Sequence, residues 1–488
     1  MAPIPGEGLV NLCGLPLHRA VFRNEFIIGH PLRNLMESNV RLLLRSSPSE
    51  DVTPEMGIAL GHALAIEHSK VIVGMDLIKS SPMMKNALIS GLISSGADVI
   101  DIGIVSGPAA AYAARMGDCC VYITEFRQLD LVSGYLLLNK DGGPFGKEQI
   151  RHLEQLCMKA PVLSDYKSLG TLKEYYHATN DYNQKLLSLL PTSTGGTVVL
   201  NSNCGTATDS APQILNRMGT DVISINAQKD RDFITKSLSI KEADIHHMRD
   251  MVASDAGSIG ISINRIGTLM RVFDESSNPL TDDQVMMTLM LFLRPAKVVV
   301  PMNVSSAIVD IFKGRQKFKV NTPYPEPDLE KMDIILAHPD VGSIHKAMVD
   351  SDADLGYYDG GFIFKDISQF ADAIHACTIL AQFCSNNNLE KIVKSFSRYY
   401  TEKKSYKFTC TRSDFVRAVN ANLGNVNPKS IYENDGWRID MESGSFFIEF
   451  DRNSDDGVTI YAESNDRLYL ISLIEVIDSL MVNCVNGQ

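Results

Sequence analysis

A pattern of short apolar, β-branched runs separated by helix-like stretches occurs three times along the chain and constrains the fold most strongly. The runs lie at 70–75, 98–103 and 119–124, then at 197–201, 221–226 and 258–263, and finally at 297–302, 317–321 and 360–364. Helices are expected between them, at 81–95 and 108–116, near 208–218 and 240–253, and near 304–313 and 342–350. Strands that alternate with helices form sheets covered on both faces, so three copies predict three related α/β/α domains.

The C-terminal part of the chain has a different pattern. Residues 438–464 contain short alternating strands and turns, and an apolar helical stretch follows at 466–481. This arrangement predicts a smaller α+β domain, with 384–396 as the linker before it. The predicted domains therefore span 1–160, 161–275, 276–388 and 389–488.

Composition narrows the class of protein. Apolar residues make up 44% of the chain and charged residues 21%, as in soluble globular proteins. The net charge of -12 argues against a nucleic-acid partner, which requires a basic surface. The nine cysteines are scattered without a CxxC pair, which is typical of a reduced, intracellular protein. Neither a signal peptide nor an apolar run of membrane-spanning length is evident, so we expect a cytoplasmic protein without a membrane partner.

The segment 119–138, CCVYITEFRQLDLVSGYLLL, has the pattern of a strand, a loop and a second strand. Loops at the carboxyl ends of strands in open α/β sheets commonly hold ligands. The predicted loop offers Glu125, Arg127, Asp130 and Ser133, none of which is an obvious nucleophile beside a base.

Four longer segments carry a family resemblance: VTPEMGIALGHAL at 52–64, the segment 71–114, GTLMRVFDESSNPLTDDQ at 267–284 and GGFIFKDISQFADAIHACTILAQF at 360–383. They resemble the α-D-phosphohexomutases, the family of phosphoglucomutase, phosphomannomutase and phosphoglucosamine mutase. The resemblance covers nearly the whole chain and implies three α/β/α domains with mixed sheets, followed by a small fourth domain.

The chemical motifs of that family are altered. The family's T-A-S-H-N-P loop carries its phosphate on the serine, and here Phe126, Arg127 and Gln128 stand at the serine, histidine and asparagine positions. A phenyl ring cannot accept a phosphoryl group. The family's metal loop, D-G-D-x-D-R, corresponds to 264-NRIGTL-269, with Asn264, Ile266 and Thr268 at the aspartate positions. We therefore expect no catalytic residue and no metal ligand at these positions.

Two further loops contact the sugar and its phosphate in the family. The sugar loop corresponds to 356-GYYDGG-361, and the phosphate loop R-P-S-G-T-E-P corresponds to 450-FDRNSDD-456. A family arginine near the N-terminus is retained as Arg19, and Asp76 of the G-R-D-T-R motif is retained as well. The candidate ligand-binding residues are Arg19, Arg127, Tyr357, Tyr358, Asp359 and Arg452.

An insertion relative to the family lies near 22–51, and the spacing of apolar residues within it predicts an amphipathic helix at 31–45. It could cover the cleft, dock a partner or pack only on the first domain. Because Phe126, Leu129, Leu131 and Val132 place apolar side chains in a loop that is polar in the family, we expect them to be buried, with this insertion partly closing the cleft and Phe126 packed beneath it or under the fourth domain.

These observations favour a non-catalytic relative of the mutases that binds a protein partner or a ligand. Two alternatives stay open: a divergent active mutase that interconverts hexose 1- and 6-phosphates, with Ser80, Ser81 or Ser133 as nucleophile, and a sensor of a sugar or sugar phosphate. No cofactor is expected, and Mg²⁺ only if the chain is an active mutase. We expect a protein partner or a homo-oligomer, with a sugar as a possible ligand.

Overall fold

A computed structural model describes residues 22–23, 26–29, 53–125, 133–190, 195–231, 242–255, 257–311, 320–324, 332–358, 360–396, 398–433, 436–450 and 456–485. The predicted helix at 31–45 and the residues Arg19, Phe126, Arg127, Asp359 and Arg452 lie outside this set. The chain divides into two units. The first comprises Met1–Thr281, Met348–Asp350 and Gly360–Leu389, and the second comprises Asp282–Ala347, Ser351–Asp359 and Glu390–Gln488.

The first unit begins with a seven-stranded sheet in the order β1-β2-β6-β5-β3-β4-β7. Its strands are β1 (Phe22–Arg23), β2 (Phe26–Gly29), β3 (Lys70–Met75), β4 (Asp98–Ile104), β5 (Cys119–Glu125), β6 (Ser133–Asn139) and β7 (Leu172–Glu174). Strands β5, β3, β4 and β7 run parallel, whereas β6 pairs antiparallel with both β5 and β2, and β1 pairs antiparallel with β2. The helices of this region are α1 (Pro54–Ala65), α2 (Ser81–Ser94), α3 (Gly107–Ala113) and α4 (Lys147–Cys157).

Helices α1 and α2 pack closely because glycines lie at their contact. A Cβ atom at Gly61 would lie 2.5 Å from the carbonyl oxygen of Leu88, and one at Gly91 would lie 2.2 Å from that of Ile58. Helix α1 begins where the Thr53 side chain accepts a hydrogen bond from the Met56 amide.

A second sheet of the first unit has the order β11-β10-β8-β9. Its strands are β8 (Thr197–Asn201), β9 (Asp221–Ile225), β10 (Ile259–Ile263) and β11 (Met270–Phe273), and its helices are α5 (Ala178–Leu189), α6 (Ala211–Arg217) and α7 (Glu242–Ser254). The unit also contains β15 (Gly361–Phe364) and α11 (Ala373–Cys384). Strand β10 is buried along its whole length, as its continuous apolar run predicts.

The second unit contains three parallel strands in the order β13-β12-β14. The elements are α8 (Asp282–Leu293), β12 (Lys297–Pro301), α9 (Ser306–Asp310), β13 (Asp333–Ala337), α10 (Val341–Ser351) and β14 (Leu355–Tyr358). Its other sheet is five-stranded and antiparallel, in the order β16-β20-β19-β18-β17. The elements there are β16 (Tyr400–Lys407), α13 (Arg412–Asn422), β17 (Ser430–Glu433), β18 (Trp437–Asp440), β19 (Gly444–Phe450), β20 (Gly457–Ser464) and α14 (Arg467–Val485).

The four sheets and their helices confirm the predicted fold class, including the smaller C-terminal α+β part. The four domain boundaries stay a prediction. Among the described residues, no helix is both long enough and apolar enough to cross a membrane.

The turn expected within 356–361 follows β14, which ends at Tyr358, and Gly360 there has a left-handed φ of 79°. Two local predictions were wrong. Of the predicted strand 317–321 only 320–321 lie within the described residues, and they are not in a strand; β12 pairs instead with β13, whose run DIILA is better suited to a parallel sheet than the alternating KFKVN. The predicted linker 384–396 contains a helix, α12 (Leu389–Lys394), whose first residue is fully buried.

Candidate functional site

Residues 126–132, which contain the position of the family's phosphoserine, connect two strands that pair up to their ends. In the antiparallel pair β5–β6, Glu125 is opposite Ser133 and Thr124 is opposite Gly134. Ser133 therefore belongs to a strand and not to the predicted loop. Part of the 22–51 segment lies beside it, because β2 pairs with β6 from Gly29–Ser133 to Phe26–Leu136. Whether this segment covers Phe126 concerns residues outside the described set and stays a prediction.

Asp76 lies at the end of β3 and is 4% exposed. One carboxylate oxygen accepts hydrogen bonds from the Ile78 amide and the Ser81 hydroxyl, both at 2.9 Å, and the other accepts one from the Thr124 hydroxyl at 2.8 Å. Burial raises the pKa of the Asp76 carboxyl, while these hydrogen bonds and the positive charge of Arg265 oppose the rise. Asp76 thus links the ends of β3 and β5 to the start of α2, and it holds Ser81, which is fully buried.

The turn 264–269, at the position of the family's metal loop, connects β10 to β11. The Asn264 side chain closes it: its oxygen accepts hydrogen bonds from the amides of Thr268 at 2.8 Å and Leu269 at 3.1 Å, and its nitrogen donates to the Thr268 hydroxyl at 3.0 Å. Gly267 has a φ of 84°, a left-handed conformation that favours glycine. The polar groups of Asn264 and Thr268 are therefore committed to the turn itself.

This turn does not suit Mg²⁺. The ion prefers anionic oxygen ligands, and the six residues of the turn include no carboxylate. Ile266 is 7% exposed and presents only an apolar side chain. Within the described part of the chain, no group of three or more His, Cys, Asp or Glu residues is placed to hold a metal ion.

The backbone of the turn has a structural role. The carbonyl oxygen of Ile266 accepts a hydrogen bond of 2.8 Å from the Gly107 amide at the start of α3, and that of Gly267 accepts one of 3.0 Å from the Ala373 amide at the start of α11. The turn is thereby fixed between the beginnings of two helices, where amides have no partner within their own helix.

Arg265, within the same turn, is 5% exposed, although arginine is rarely buried to this extent. Its carbonyl oxygen accepts hydrogen bonds from the amide of Thr206 at 2.8 Å and from its hydroxyl at 3.0 Å. Its positive charge acts on Asp76 and on the phenol of Tyr122. Arg265 is not among the predicted site residues, although an arginine at the position where the family's metal loop has glycine was a signal for it.

The tyrosines of the predicted sugar loop belong to β14. Tyr357 is 7% exposed, and its hydroxyl hydrogen-bonds to the Asp283 carboxylate. Burial raises the pKa of Asp283 to about 6, although the bond from Tyr357 opposes that rise. Tyr357 is therefore committed to an internal contact, whereas Tyr358 is half-buried.

Phe450, at the position of the phosphate-loop arginine, packs into an aromatic cluster at the end of β19. The centroid of its ring lies 5.8 Å from those of Phe415 and Trp437, and 6.3 Å from that of Phe408. The Arg412 guanidinium lies 3.9 Å from the ring centroid on a face of Phe450. An apolar ring packed in this way provides no donor for a phosphate oxygen.

A cavity of about 360 Å³ lies in the second unit, beyond the end of β12. Polar side chains dominate its lining and include Asp283, Asn303, Ser305, Lys403, Arg438 and Glu463. Arg438 is 3% exposed and donates to the carbonyl oxygens of Met302 and Val304, both at 2.8 Å. Crevices beyond the carboxyl ends of parallel strands commonly receive ligands.

Comparisons with known proteins agree with the fold. The family model for phosphoglucomutase/phosphomannomutase, alpha/beta/alpha domain I, matches residues 37–161. A probable phosphoglucosamine mutase of Methanocella arvoryzae is 26% identical over 91% of this chain and 98% of its own, and one of Methanosarcina barkeri is 25% identical over 87% and 94%. The crystal structure of a phosphoglucomutase/phosphomannomutase family protein from Burkholderia thailandensis superposes with a TM-score of 0.77 at 14% identity, covering 96% of this chain and 98% of the other.

Proposed function

Because the chain belongs to the α-D-phosphohexomutase family, we propose that it is a non-catalytic member that acts by binding a protein partner or a ligand. The main support is the 264–269 turn, in which Asn264 and Thr268 bond to each other where the family's metal carboxylates would stand. The packed ring of Phe450 adds to it, since it replaces the arginine of the phosphate loop. Phe126, at the phosphoserine position, has no atom that can carry the phosphate.

An activity assay tests this proposal. The purified full-length chain is incubated with Mg²⁺, a hexose 1,6-bisphosphate activator, and glucose, mannose or glucosamine 1-phosphate. We expect no turnover, and the Methanocella relative assayed alongside serves as the positive control. A rate of about 1 s⁻¹, at the low end for ordinary enzymes, would refute the proposal.

The names of the relatives favour the alternative of a divergent active mutase. Both are named probable phosphoglucosamine mutases, and this chain aligns with them over most of their length. In that case a different group must accept the phosphate. Ser81 is an unsuitable candidate because it is fully buried and donates its hydroxyl proton to Asp76. Mass spectrometry after incubation with the bisphosphate would identify any phosphorylated serine, and its absence together with absent turnover would exclude this alternative.

A ligand sensor is the alternative favoured by the polar cavity beyond β12. A ligand that binds only the folded state raises the apparent stability of the protein. A thermal-shift screen against sugars and sugar phosphates therefore distinguishes a ligand sensor from a protein that binds only a protein partner. A saturable shift would support a sensor. If no sugar shifts the melting temperature, binding of a protein partner remains as the function. It is tested by affinity purification of the tagged chain from its own cell. The binding of the purified partner is then measured directly.

A further inference from the structure

Helix α14 is apolar on both its inner and its outer face. The inner face packs against the five-stranded sheet, where Leu473 and Ile477 are buried in the core. The outer face is open, since Leu468 is 77% exposed, Ile471 55% and Val482 68%. A surface helix usually has a polar outer face, and a helix that is apolar all round is usually buried. We therefore expect another surface to cover the outer face of α14.

A groove of about 540 Å³ lies beside the outer face of α14. One of its walls contains Leu470, Ile471 and Ile474 of the helix, and the other contains Tyr400 of β16. Among the described strands, β16 pairs with β20 alone and forms the edge of its sheet. An exposed sheet edge with apolar side chains beside it is a surface that a second chain can cover. The groove therefore extends the open face of the helix.

Helix α14 has three charged side chains, those of Arg467, Glu475 and Asp478. Asp478 is committed to β16, because its carboxylate accepts hydrogen bonds from the Lys404 amine at 2.7 Å and from the Tyr406 hydroxyl. Arg467 and Glu475 are exposed, and neither forms an ion pair with another described residue. The charges of the open face are therefore one positive and one negative group.

Arg467 and Glu475 lie on either side of Ile471, each four residues away from it. Residues spaced by four lie on one face of a helix, so the three positions form a short row. When two copies of α14 pack antiparallel about a two-fold axis at Ile471, Arg467 of each copy faces Glu475 of the other. Parallel packing in register would instead place like charges together. The face is thus complementary to itself in the antiparallel arrangement.

We propose that a second copy of this chain covers the outer face of α14, in an antiparallel helix–helix contact about a two-fold axis at Ile471. Arg467 and Glu475 set the register, and Leu468 and the groove beside β16 supply the apolar contact. The contact does not depend on whether the chain is catalytic, so it can fail or hold separately from the proposed function. One helix face with its groove is smaller than a standard interface of about 1,600 Å², so we expect a Kd on the order of 10 µM.

The first measurement is analytical ultracentrifugation of the full-length chain between about 1 and 100 µM. We expect a reversible equilibrium between monomer and dimer, and a wild-type chain that stays monomeric over this range would overturn the proposal. Ile471→Lys places two positive charges at the axis and should give a monomer with an unchanged melting temperature. Val162→Lys, at a position of the first unit that is 67% exposed, is the matched control and should still dimerise. Dimers of Ile471→Lys as tight as those of the control would also overturn it.

The second measurement exchanges the two charges. Arg467→Glu or Glu475→Arg alone places like charges together at two symmetric points, so each should weaken dimerisation about 10-fold or more. The double variant with both substitutions restores opposite charges and should dimerise within about 3-fold of the wild type. A double variant as weak as the sum of the single losses would show that the two residues do not meet, and would overturn the proposed register.

The third measurement is a cross-link. Ile471→Cys places two thiols at the axis, so mild oxidation with copper phenanthroline should give a disulfide-linked dimer on a non-reducing gel, beyond any given by the native cysteines of the wild type. Val482→Cys, on the same helix, is the control: with the axis at Ile471 its two copies lie about 33 Å apart along the helix direction and should not link. Links through Val482→Cys but not through Ile471→Cys would contradict the axis.

Discussion

At the scale of single residues, Asn264 determines the conformation of the 264–269 turn. It is 2% exposed and forms three side-chain hydrogen bonds within the turn. Replacing it by alanine leaves the buried amide of Thr268 and the partly buried amide of Leu269 without this partner, so we expect Asn264→Ala to reduce the free energy of unfolding by about 2–4 kcal/mol. Urea unfolding measures the change, with Asn216→Ala, at an exposed position of α6, as the matched control. A loss no larger than that of the control would contradict the role of Asn264.

A second residue-scale prediction concerns Phe126. We expect Phe126→Ser to restore no activity, because the nucleophile and the charge that stabilises the transferred phosphate act as one unit. The 264–269 turn offers no carboxylate for that second role. Mutase turnover and phosphoserine content are measured together. Phosphate on the introduced serine with turnover would demonstrate a metal site elsewhere.

At the scale of elements, the start of α11 depends on Asp372, a residue that is 1% exposed. Its carboxylate accepts a hydrogen bond of 2.8 Å from the His375 amide, and the Tyr182 hydroxyl of α5 donates to both of its oxygens at 2.8 Å. Asp372 thus caps α11 and connects it to α5. Burial raises the pKa of Asp372 to about 7, and these hydrogen bonds oppose the rise.

This pKa predicts how stability changes with pH. In the folded state the carboxyl is harder to ionise than in the unfolded chain, where its pKa is about 4. Its contribution is therefore fully present below about pH 4 and falls by roughly 4 kcal/mol as the pH rises to about 7. Asp372→Asn should remove this fall, so the variant should gain stability relative to the wild type between pH 4 and 7. Urea midpoints across this range test it, and Asp366→Asn, at an exposed position, should keep the wild-type profile.

At the scale of the whole molecule, the altered loops predict the response to sugar phosphates. The arginine position of the phosphate loop is taken by Phe450, and Asp451, Asp455 and Asp456 follow it in the sequence. Negative charge next to an apolar ring disfavours a phosphate, so we expect glucose 1-phosphate and glucose 6-phosphate to leave the melting temperature unchanged. A ligand at about 100 times its Kd would stabilise the fold by about 2.7 kcal/mol, which corresponds to a shift of several degrees. A saturable shift would favour the sensor instead.

The sequence by itself determined the class of fold, and it predicted which loops differ from the family's motifs. Parallel strands need continuous apolar runs and motif residues keep their spacing, so both are local properties of the chain. Tertiary structure decided which polar groups are buried together. Tyr357 was predicted to lie in a loop but is part of β14, which pairs with β12 through Leu355 and Gly356. Tyr182 and Asp372 lie far apart in the sequence, and only the packing of the first unit brings the Tyr182 hydroxyl to 2.8 Å from the Asp372 carboxylate oxygens.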